Sequence, residues 1–375
     1  MDGASFDRMT RAIGGLTTRR RTLGGLAGGG VALILGQWGF EAGAQAKKCQ
    51  APNTKCGKKG CCTPAQECRG GVCLGACKFT KTSQTWTLQR DCLTRNPIDV
   101  PDGVTLDGDG HTIFMQGTPS SLPYGVGVQN AKAHVINLTL DGSGVTSASC
   151  AERGAGILFQ NAIGAVRTST ITGFSASCGD AIRVIVPKGG PRRRVRIDKV
   201  SISDSQVGIN ASALTRLRLR ISRNDVKDVK FGVQVQGDIA GTIDGKNTIA
   251  AQTYGVVLLA IHEAASGPDV TADDNTVTGA QVGMSVQVNP GATATPRLVA
   301  TGNTIVGPGP LDNGATHGLQ FVDGTAGSAD GNTISNYFNS GGGVGCGIFV
   351  AAGADVNVGN NTFPNPPGNE QNVCD

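Results

Sequence analysis

Apolar and polar residues alternate in short runs along most of the chain, and many of these runs begin with glycine. Clear examples are residues 232–235, 255–258, 283–286, 318–321 and 347–350. Alternation with a period of two is typical of a strand with one buried face, and these runs show no helical period. The pattern therefore predicts an all-β chain of short strands.

A second phrase, Asn-Thr followed by an apolar residue, returns between these runs at an almost fixed interval. It begins at Asn247, Asn275, Asn303, Asn332 and Asn361, with a looser copy at Asn224. Repeats of this length built from β-prone runs are typical of solenoids. Equivalent residues of successive coils then lie about 4.8 Å apart, the spacing of strands in a sheet. We expect the asparagines to form an internal ladder at one bend, where asparagine tolerates a left-handed backbone.

The two interleaved phrases resemble those of right-handed parallel β-helix proteins with the pectate-lyase and polygalacturonase-like architecture. The resemblance covers roughly residues 78–365. It implies an all-β fold: a right-handed single-stranded parallel β-helix (a solenoid) of about ten coils over residues 77–375, preceded by a small disulfide-rich module. It implies no particular activity, because this scaffold occurs in lyases, hydrolases, epimerases and non-enzymatic adhesins.

The N-terminal segment has the features of an export signal. Three arginines at residues 19–21 precede a glycine-rich apolar stretch at 23–40, and Ala-Gln-Ala at 44–46 forms a small-residue cleavage site. The arginine run resembles a twin-arginine signal. An uncleaved membrane anchor is the alternative, but seven glycines in the apolar stretch disfavour a permanent transmembrane helix. We expect residues 1–46 to be removed and the protein to be secreted or on the cell surface by bacterial export, without stable membrane insertion.

Six of the twelve cysteines fall within a short basic segment, residues 47–76. So short a segment cannot build a core and needs covalent cross-links, which suits an oxidising compartment. Its spacing, with two adjacent central cysteines, resembles the inhibitor-knot (knottin) framework. That resemblance implies the disulfides Cys49–Cys62, Cys56–Cys68 and Cys61–Cys73, one of fifteen possible connectivities. A zinc site is the alternative, but the segment has no histidine and no paired Cys-x-x-Cys motif.

The other six cysteines form three further predicted disulfides. One would pin the first strand of the solenoid. The other two join cysteines 28 residues apart, which is one coil, so that their Cα atoms should lie within disulfide range. The predicted pairs are Cys77–Cys92, Cys150–Cys178 and Cys346–Cys374.

Positive charge is concentrated between residues 183 and 230, which contain thirteen Lys and Arg against four Asp, while the whole chain carries only +5. Two predicted strands in this segment, residues 192–197 and 216–221, alternate arginine with Val, Leu or Ile. The apolar residues should face inward and the arginines outward. The candidate ligand-binding residues are Arg194, Arg196, Arg216, Arg218 and Arg220.

The two arginine strands are 24 residues apart, which matches the local length of one coil. Arg194 should therefore lie over Arg218. In the same way, Arg196 should lie over Arg220. Like charges stacked on neighbouring strands repel each other, so this arrangement favours an anionic partner.

Guanidinium groups bind carboxylates and phosphates bidentately, which suits an acidic polysaccharide or cell-surface glycan as that partner. Nucleic acid is not expected, because the chain is exported and only 4% aromatic. The alternative is a solvated face whose charge is neutralised by Asp198 and Asp225. Both interpretations remain open at this stage.

A catalytic site is harder to recognise. Hydrolysis of a glycoside needs two carboxylates about 5–10 Å apart, but Asp273 and Asp274 are adjacent and should point to opposite faces of a strand. Polygalacturonase-like motifs are present only in part, in this Asp pair and in Thr316-His317-Gly318. The sequence therefore assigns no catalytic residue.

We expect no cofactor and no metal ion. Asp107, Asp109 and His111 carry groups that bind metals. However, the Asp-Gly-Asp-Gly sequence that contains the first two is typical of a tight turn between strands.

Two classes of function remain. The favoured one is an exported, non-catalytic β-helix protein that binds acidic surface or environmental polysaccharide through its basic face. The other is a polysaccharide lyase, glycoside hydrolase or epimerase that acts on uronate-containing glycans. The missing carboxylate pair favours the first, and whether the protein is an enzyme stays undecided.

Overall fold

The computed structural model describes residues 49, 52–56, 60–69, 71–147, 153–176, 178–309, 316–337, 345–364 and 370–374. The predicted export signal at 1–46 and Cys150 lie outside these residues. The chain divides into two compact units, Met1–Cys73 and Leu74–Asp375. Every regular element in the described residues is a β-strand. Within that part of the chain, no helix has the length and apolar character needed to cross a membrane.

The first unit is cross-linked by disulfides whose pairing differs from the knottin prediction. Strand β1 (Thr54–Cys56) pairs antiparallel with β2 (Gly60–Cys62), and β3 (Glu67–Arg69) pairs with β4 (Val72–Leu74). The disulfides are Cys49–Cys61, Cys56–Cys68 and Cys62–Cys73. The pair Cys56–Cys68 is confirmed, whereas the predicted pairs Cys49–Cys62 and Cys61–Cys73 are wrong.

The two adjacent cysteines lie on one strand, which gives them different surroundings. Consecutive residues of a strand point to opposite faces, so Cys61 and Cys62 cannot reach the same side of β2. Cys62 is buried and Cys61 is half-buried. The buried Cys62 bonds to Cys73, and the half-buried Cys61 bonds to Cys49.

The second unit consists of many short strands and three long ones. They are β5 (Phe79–Lys81), β6 (Thr85–Leu88), β7 (Cys92–Thr94), β8 (Ile98–Asp99), β9 (Thr105–Asp107), β10 (Thr112–Gly117), β11 (Tyr124–Gln129), β12 (Lys132–Ile136), β13 (Thr139–Val145), β14 (Ala155–Gln160), β15 (Ile163–Arg167), β16 (Thr170–Thr172), β17 (Asp180–Val186), β18 (Arg193–Asp198), β19 (Ser201–Ser203), β20 (Ser205–Ser222), β21 (Asp225–Asp244), β22 (Thr248–Ala260), β23 (Asp269–Asp273), β24 (Thr276–Thr278), β25 (Val282–Val288), β26 (Arg297–Thr301), β27 (Thr304–Val306), β28 (Thr316–Phe321), β29 (Ala326–Asp330), β30 (Thr333–Ser335), β31 (Gly345–Val350), β32 (Asp355–Val358) and β33 (Glu370–Cys374).

These strands wind as a parallel solenoid with three faces, here named A, B and C. Each strand pairs with the equivalent strand of the next coil. Face A contains β8, β11, β14, β17, β20, β21, β22, β25, β28, β31 and β33; face B contains β6, β9, β12, β15, β18, β20, β21, β23, β26, β29 and β32; face C contains β7, β10, β13, β16, β19, β21, β22, β24, β27 and β30. The three long strands pass round the bends and so belong to more than one face. The solenoid prediction is confirmed.

The inward side chains of the three faces form one continuous apolar core. Val195 and Ile197 on β18 are fully buried, as are Leu217 and Ile221 on β20. The alternation in the sequence therefore reflects one buried and one outward side of each strand.

The repeated asparagines form the internal ladder that the sequence predicts. Each side-chain Nδ2 before that of Asn361 donates to the Oδ1 of the next asparagine at 2.8–2.9 Å. Members also donate to the main chain, as Asn275 Nδ2 does to the Ile243 carbonyl at 2.8 Å. The ladder includes the looser copy and consists of Asn224, Asn247, Asn275, Asn303, Asn332 and Asn361.

The left-handed bend lies one residue before the ladder asparagine. The prediction that the asparagine itself adopts the left-handed backbone is therefore wrong. Arg223, Lys246 and Asp274 have φ values of 58°, 69° and 54°, and Gly302 and Gly331 take the equivalent place in later coils. The preceding residue turns the chain. The asparagine is required for its amide, which can donate to and accept from its neighbours in the stack.

The glycines that begin the apolar runs at residues 232, 255, 283 and 318 have no room for a side chain. A Cβ atom added at Gly255 would lie 2.2 Å from Val277 Cγ1 and 2.5 Å from the Gly283 carbonyl oxygen. The recurrence of glycine therefore follows from the close approach of successive coils.

Two of the three disulfides predicted for the second unit are confirmed. They are Cys77–Cys92 and Cys346–Cys374. The latter joins β31 to β33, the last strand of face A. Cys178 is disulfide-bonded, but Cys150 lies outside the described residues, so the pair Cys150–Cys178 stays a prediction.

Candidate functional site

The arginines of β18 and β20 stack on the outer side of face B in the predicted register. Arg194 lies opposite Arg218, and Arg196 lies opposite Arg220. The intervening Val195 is buried, while Arg194 and Arg218 are exposed. The sequence therefore predicts both the face and the stacking of these charges.

Three of the five candidate arginines have a carboxylate partner. The pairs and their N–O distances are Arg196–Asp198 at 3.2 Å, Arg216–Asp238 at 3.0 Å and Arg220–Asp244 at 3.3 Å. Asp225, which the sequence offers as a neutralising group, forms no ion pair within the described part of the chain. The expectation of a neutralised face is thus met at some arginines and not at others.

Asp198 is the main source of compensating charge in this region. It accepts a bidentate interaction from Arg223, whose Nη2 lies 2.7 Å from Oδ1 and 2.8 Å from Oδ2, and a hydrogen bond from Ser222 Oγ at 2.9 Å. Burial alone would raise the pKa of Asp198, but these hydrogen bonds and the charges of Arg196 and Arg223 hold its pKa below the usual range. Asp198 is therefore a charged, fully engaged carboxylate.

Arg194 and Arg218, by contrast, have no carboxylate partner among the residues that the structure describes. The same is true of Arg167 on β15, which is exposed and lies in register with Asp198 without forming an ion pair. Within the described part of the chain, the charges of Arg167, Arg194 and Arg218 thus remain uncompensated by a carboxylate.

These three guanidinium groups line one open cavity of about 420 Å³ on face B. Its walls come from β12, β15, β18 and β20, and its floor includes the small residues Gly164 and Ala165. The small residues leave a depression between the larger side chains of His134 on one side and Arg196 on the other, because these residues occupy neighbouring coils. No carboxylate is among the described residues that line this cavity.

His134 contributes a neutral imidazole to the same cavity. Burial lowers its pKa from 6.5, and the charges of Arg167 and Lys132 lower it further. Its Nδ1 atom is buried and has no hydrogen-bond partner in the part of the chain that the structure describes. Near neutral pH this side chain can accept a proton or a hydrogen bond.

Sequence reasoning missed Arg167 and His134. A signal was present, because Arg167 lies 31 residues before Asp198 and shares its outward direction on face B. The coils in this part of the chain lack the Asn-Thr phrase, so their register could not be followed from the repeat.

The other sequence candidates do not assemble into a site. Asp273 lies on face B, whereas His317 lies on face A, buried at 5% exposure. The predicted turn is confirmed: Asp107 Oδ1 accepts a hydrogen bond from the Asp109 amide at 2.9 Å, and Asp109 has a φ of 50°.

Metal-ligand spacing occurs once among the described residues, in the first unit. The sulfur atoms of Cys56, Cys62 and Cys73 lie within 4.8 Å of one another. All three are used by disulfides, so they are not available as thiolate ligands.

Comparison with known proteins finds structural similarity at low sequence identity. The periplasmic alginate epimerase AlgG is 10% identical, with a TM-score of 0.44 over 74% of this chain and 78% of that one. The Dettilon tailspike protein is 14% identical, with a TM-score of 0.38 over 77% and 63%. The A-module of the Azotobacter vinelandii mannuronan C-5 epimerase AlgE4 is 12% identical, with a TM-score of 0.34 over 77% and 90%. No family model matches the sequence, and no match to a characterised protein is found by sequence. Similarities at this level carry no functional argument.

Proposed function

We propose that this is an exported protein that binds acidic polysaccharide through the cavity on face B, without cleaving it. The observation that carries the proposal is the stacked pair Arg194 and Arg218. Both are exposed, in register, without a carboxylate partner in the described residues, and part of the lining of one cavity.

An anionic ligand explains why such a pair is present. Two like charges directly opposite each other on neighbouring strands destabilise the sheet. At Arg196 and Arg220 the chain offsets this cost with its own aspartates. At Arg194 and Arg218 a bound carboxylate would do the same, with the planar guanidinium donating two parallel hydrogen bonds.

The composition of the cavity supports binding rather than hydrolysis. Hydrolysis of a glycosidic bond uses one carboxyl group as acid and a second as base or nucleophile. The described residues that line the cavity include no carboxylate. Asp198, which pairs with Arg196 of the cavity lining, is also occupied by Arg223 and Ser222.

The test compares two double variants of equal charge. In Arg194→Gln/Arg218→Gln the uncompensated pair is removed. In the control, Arg216→Gln/Arg297→Gln, two arginines that already pair with Asp238 and Asp269 are removed. We expect the first variant to bind alginate or pectate about tenfold more weakly than wild type, because charge-assisted hydrogen bonds are lost, and the control to bind within about twofold.

Binding is measured by calorimetry and by retention on a uronan column at low and moderate salt. Retention of wild type should fall as salt rises, because exposed charges are screened beyond about 8 Å at physiological ionic strength. Equal affinity of both double variants would show that the pair is only a solvated surface.

His134 supports a second candidate function, lyase or epimerase activity on uronates. A neutral imidazole beside several guanidinium groups is suited to removing a proton from the carbon next to a neutralised carboxylate. Incubation of wild type and His134→Asn with uronan distinguishes the two functions. Unsaturated uronate or inverted sugar units formed by wild type alone would establish catalysis and overturn the non-catalytic part of the proposal.

A further inference from the structure

The outer side of face B has a column of side chains that passes through the cavity, one from each coil. In this column Ala165 lies in register with His134 of the coil before it and with Arg196 of the coil after it. Ala165 is much smaller than both of these neighbours. Over six coils the column consists of Thr105, His134, Ala165, Arg196, Arg220 and Thr242.

Ala165 points away from the apolar core, although it is only 2% exposed. Its two neighbours on β15 face inward. A Cβ atom added at Gly164 would lie 2.9 Å from Cε1 of the core residue Phe159, and Val166 is itself part of the core. Consecutive residues of a strand point to opposite faces, so Ala165 points outward. Its low exposure therefore results from the larger outward side chains around it.

Four side chains of different chemistry surround Ala165. His134 and Arg196 flank it along the solenoid axis, with roughly 10 Å between their Cα atoms, which is two strand spacings. Ile163 and Arg167 lie two residues before and after it on β15 and flank it across the axis. This depression, bounded by the four side chains, is here named the Ala165 subsite. It places an apolar side chain opposite a guanidinium group.

Two buried polar atoms at the Ala165 subsite lack a hydrogen-bond partner among the residues that the structure describes. They are Nε of Arg196, which can only donate, and Nδ1 of His134. Arg196 already pairs with Asp198 through Nη2, so Nε is the donor that this ion pair leaves over. Buried polar groups are normally hydrogen-bonded. Both atoms therefore favour an occupant that offers an acceptor to Arg196 and a hydroxyl group to His134.

We propose that the Ala165 subsite holds one uronate unit of the bound polysaccharide, and that the small side chain of Ala165 makes room for it. This inference rests on the proposed function and places one sugar unit within the cavity. The carboxylate of this unit accepts hydrogen bonds from Arg196 Nε and from the exposed guanidinium of Arg167. A ring hydroxyl bonds to His134 Nδ1, and the C–H groups of the ring pack against Ile163.

Ala165 acts in this arrangement through its size and not through charge. A longer side chain at this position would extend into the space between His134 and Arg196, while the positive charge of the cavity would stay the same. The contribution of the pair Arg194 and Arg218, in contrast, depends on charge. The subsite and the pair can therefore be tested separately.

The experiment titrates tetragalacturonate into wild type, Ala165→Leu and Ala326→Leu by calorimetry. Ala326 is the matched control, because it also points outward on face B, in register with Arg297, and lies outside the cavity. The affinity of Ala165→Leu should fall at least about tenfold, because the added atoms occupy the subsite. The affinity of Ala326→Leu should stay within about twofold of wild type. Ala165→Ser, which leaves the subsite open, should also stay within about twofold.

A second measurement needs no change at Ala165. The chain has four histidines, and the imidazole resonance of His134 is assigned by its loss in His134→Asn. Tetragalacturonate added to wild type should shift this resonance. The resonance of His262, which is exposed and lies outside the cavity, should stay in place.

The position of the carboxylate is tested with Arg167→Gln. This variant should bind tetragalacturonate about tenfold more weakly than wild type, because a charge-assisted hydrogen bond is lost. It should bind the methyl ester of the same oligomer as wild type does, since the ester carries no charge. An equal loss for the acid and the ester would overturn this placement of the carboxylate.

The outcomes separate this inference from the proposed function. If wild type binds uronan but Ala165→Leu binds it equally well, or the His134 resonance does not move, the inference is overturned and the proposed function stands. An equal loss in Ala165→Leu and Ala326→Leu also overturns the inference, because it would mean that added bulk anywhere on face B hinders binding. A wild-type protein that binds no uronan overturns both.

Discussion

At the scale of single residues, the aspartates nearby decide whether the positive charge of an arginine on face B is compensated. Asp198 engages Arg196 and Arg223 and stays ionised, so two guanidinium groups share one carboxylate. Arg194 lies only two residues before Arg196 in sequence and has no carboxylate partner among the described residues. Composition alone cannot make this distinction, because it depends on which side chains of successive coils meet.

His317 gives a residue-scale prediction about acid stability. Its side chain is 5% exposed and stacks on Phe349 with 5.1 Å between ring centroids, and burial lowers its pKa to about 4. The unfolded chain protonates this histidine near pH 6.5, so between about pH 6.5 and 4 the unfolded state binds more protons. Stability contributed by neutral His317 is therefore complete above about pH 6.5 and falls by about 3 kcal/mol as pH drops to about 4.

Denaturant unfolding of wild type and His317→Gln at about pH 7 and about pH 4 checks this prediction. Wild type should lose about 3 kcal/mol more than the variant between the two conditions, because glutamine does not titrate. The same pH dependence in both proteins would show that other groups control the acid response.

At the scale of elements, the repeat allows much of the fold to be predicted. The Asn-Thr phrase has a nearly constant interval, and so the stacking of Asn247 through Asn361 follows from counting alone. The register of the two arginine strands follows in the same way from a 24-residue interval. Arg167 and His134 were not predicted as site residues, because the coils that contain β12 and β15 lack the Asn-Thr phrase and are longer. The disulfide partners of Cys61 and Cys62 were also not predicted correctly, because spacing does not show which face of β2 each cysteine occupies.

The ladder gives an element-scale prediction. Asn275 receives a hydrogen bond from Asn247 and donates to Asn303 and to the Ile243 carbonyl. In Asn275→Ala these buried groups lose their partner, so the free energy of unfolding should fall by about 3 kcal/mol. Asn361→Ala is the matched control, because Asn361 is at the end of the ladder and only half-buried, and it should cost about 1 kcal/mol. Urea unfolding measures both, and equal losses would show that burial and position in the ladder do not matter.

At the scale of the whole molecule, the second unit is a stack in which a coil is supported mainly by its neighbours. Stability in such a stack is approximately a sum of coil and neighbour contributions, so the end coils, with one neighbour each, should open first. Both ends carry a disulfide, Cys77–Cys92 at the start and Cys346–Cys374 at the finish. The positions of these disulfides match the places where a linear stack is weakest.

The last prediction is that each terminal disulfide protects its own end of the solenoid. In Cys346→Ala/Cys374→Ala, β33 is no longer cross-linked to β31. The loss of a disulfide that closes a loop of this size should lower the free energy of local unfolding at this end by about 3 kcal/mol. Hydrogen exchange should accelerate in β31 and β33 and stay unchanged in β9, β10 and β12. Cys77→Ala/Cys92→Ala is the mirror-image control: exchange should accelerate in β6 and β7 and stay unchanged in β28 and β31. A uniform acceleration across all coils in either variant would contradict the prediction, because it would mean that the solenoid opens as one cooperative unit instead of fraying from its ends.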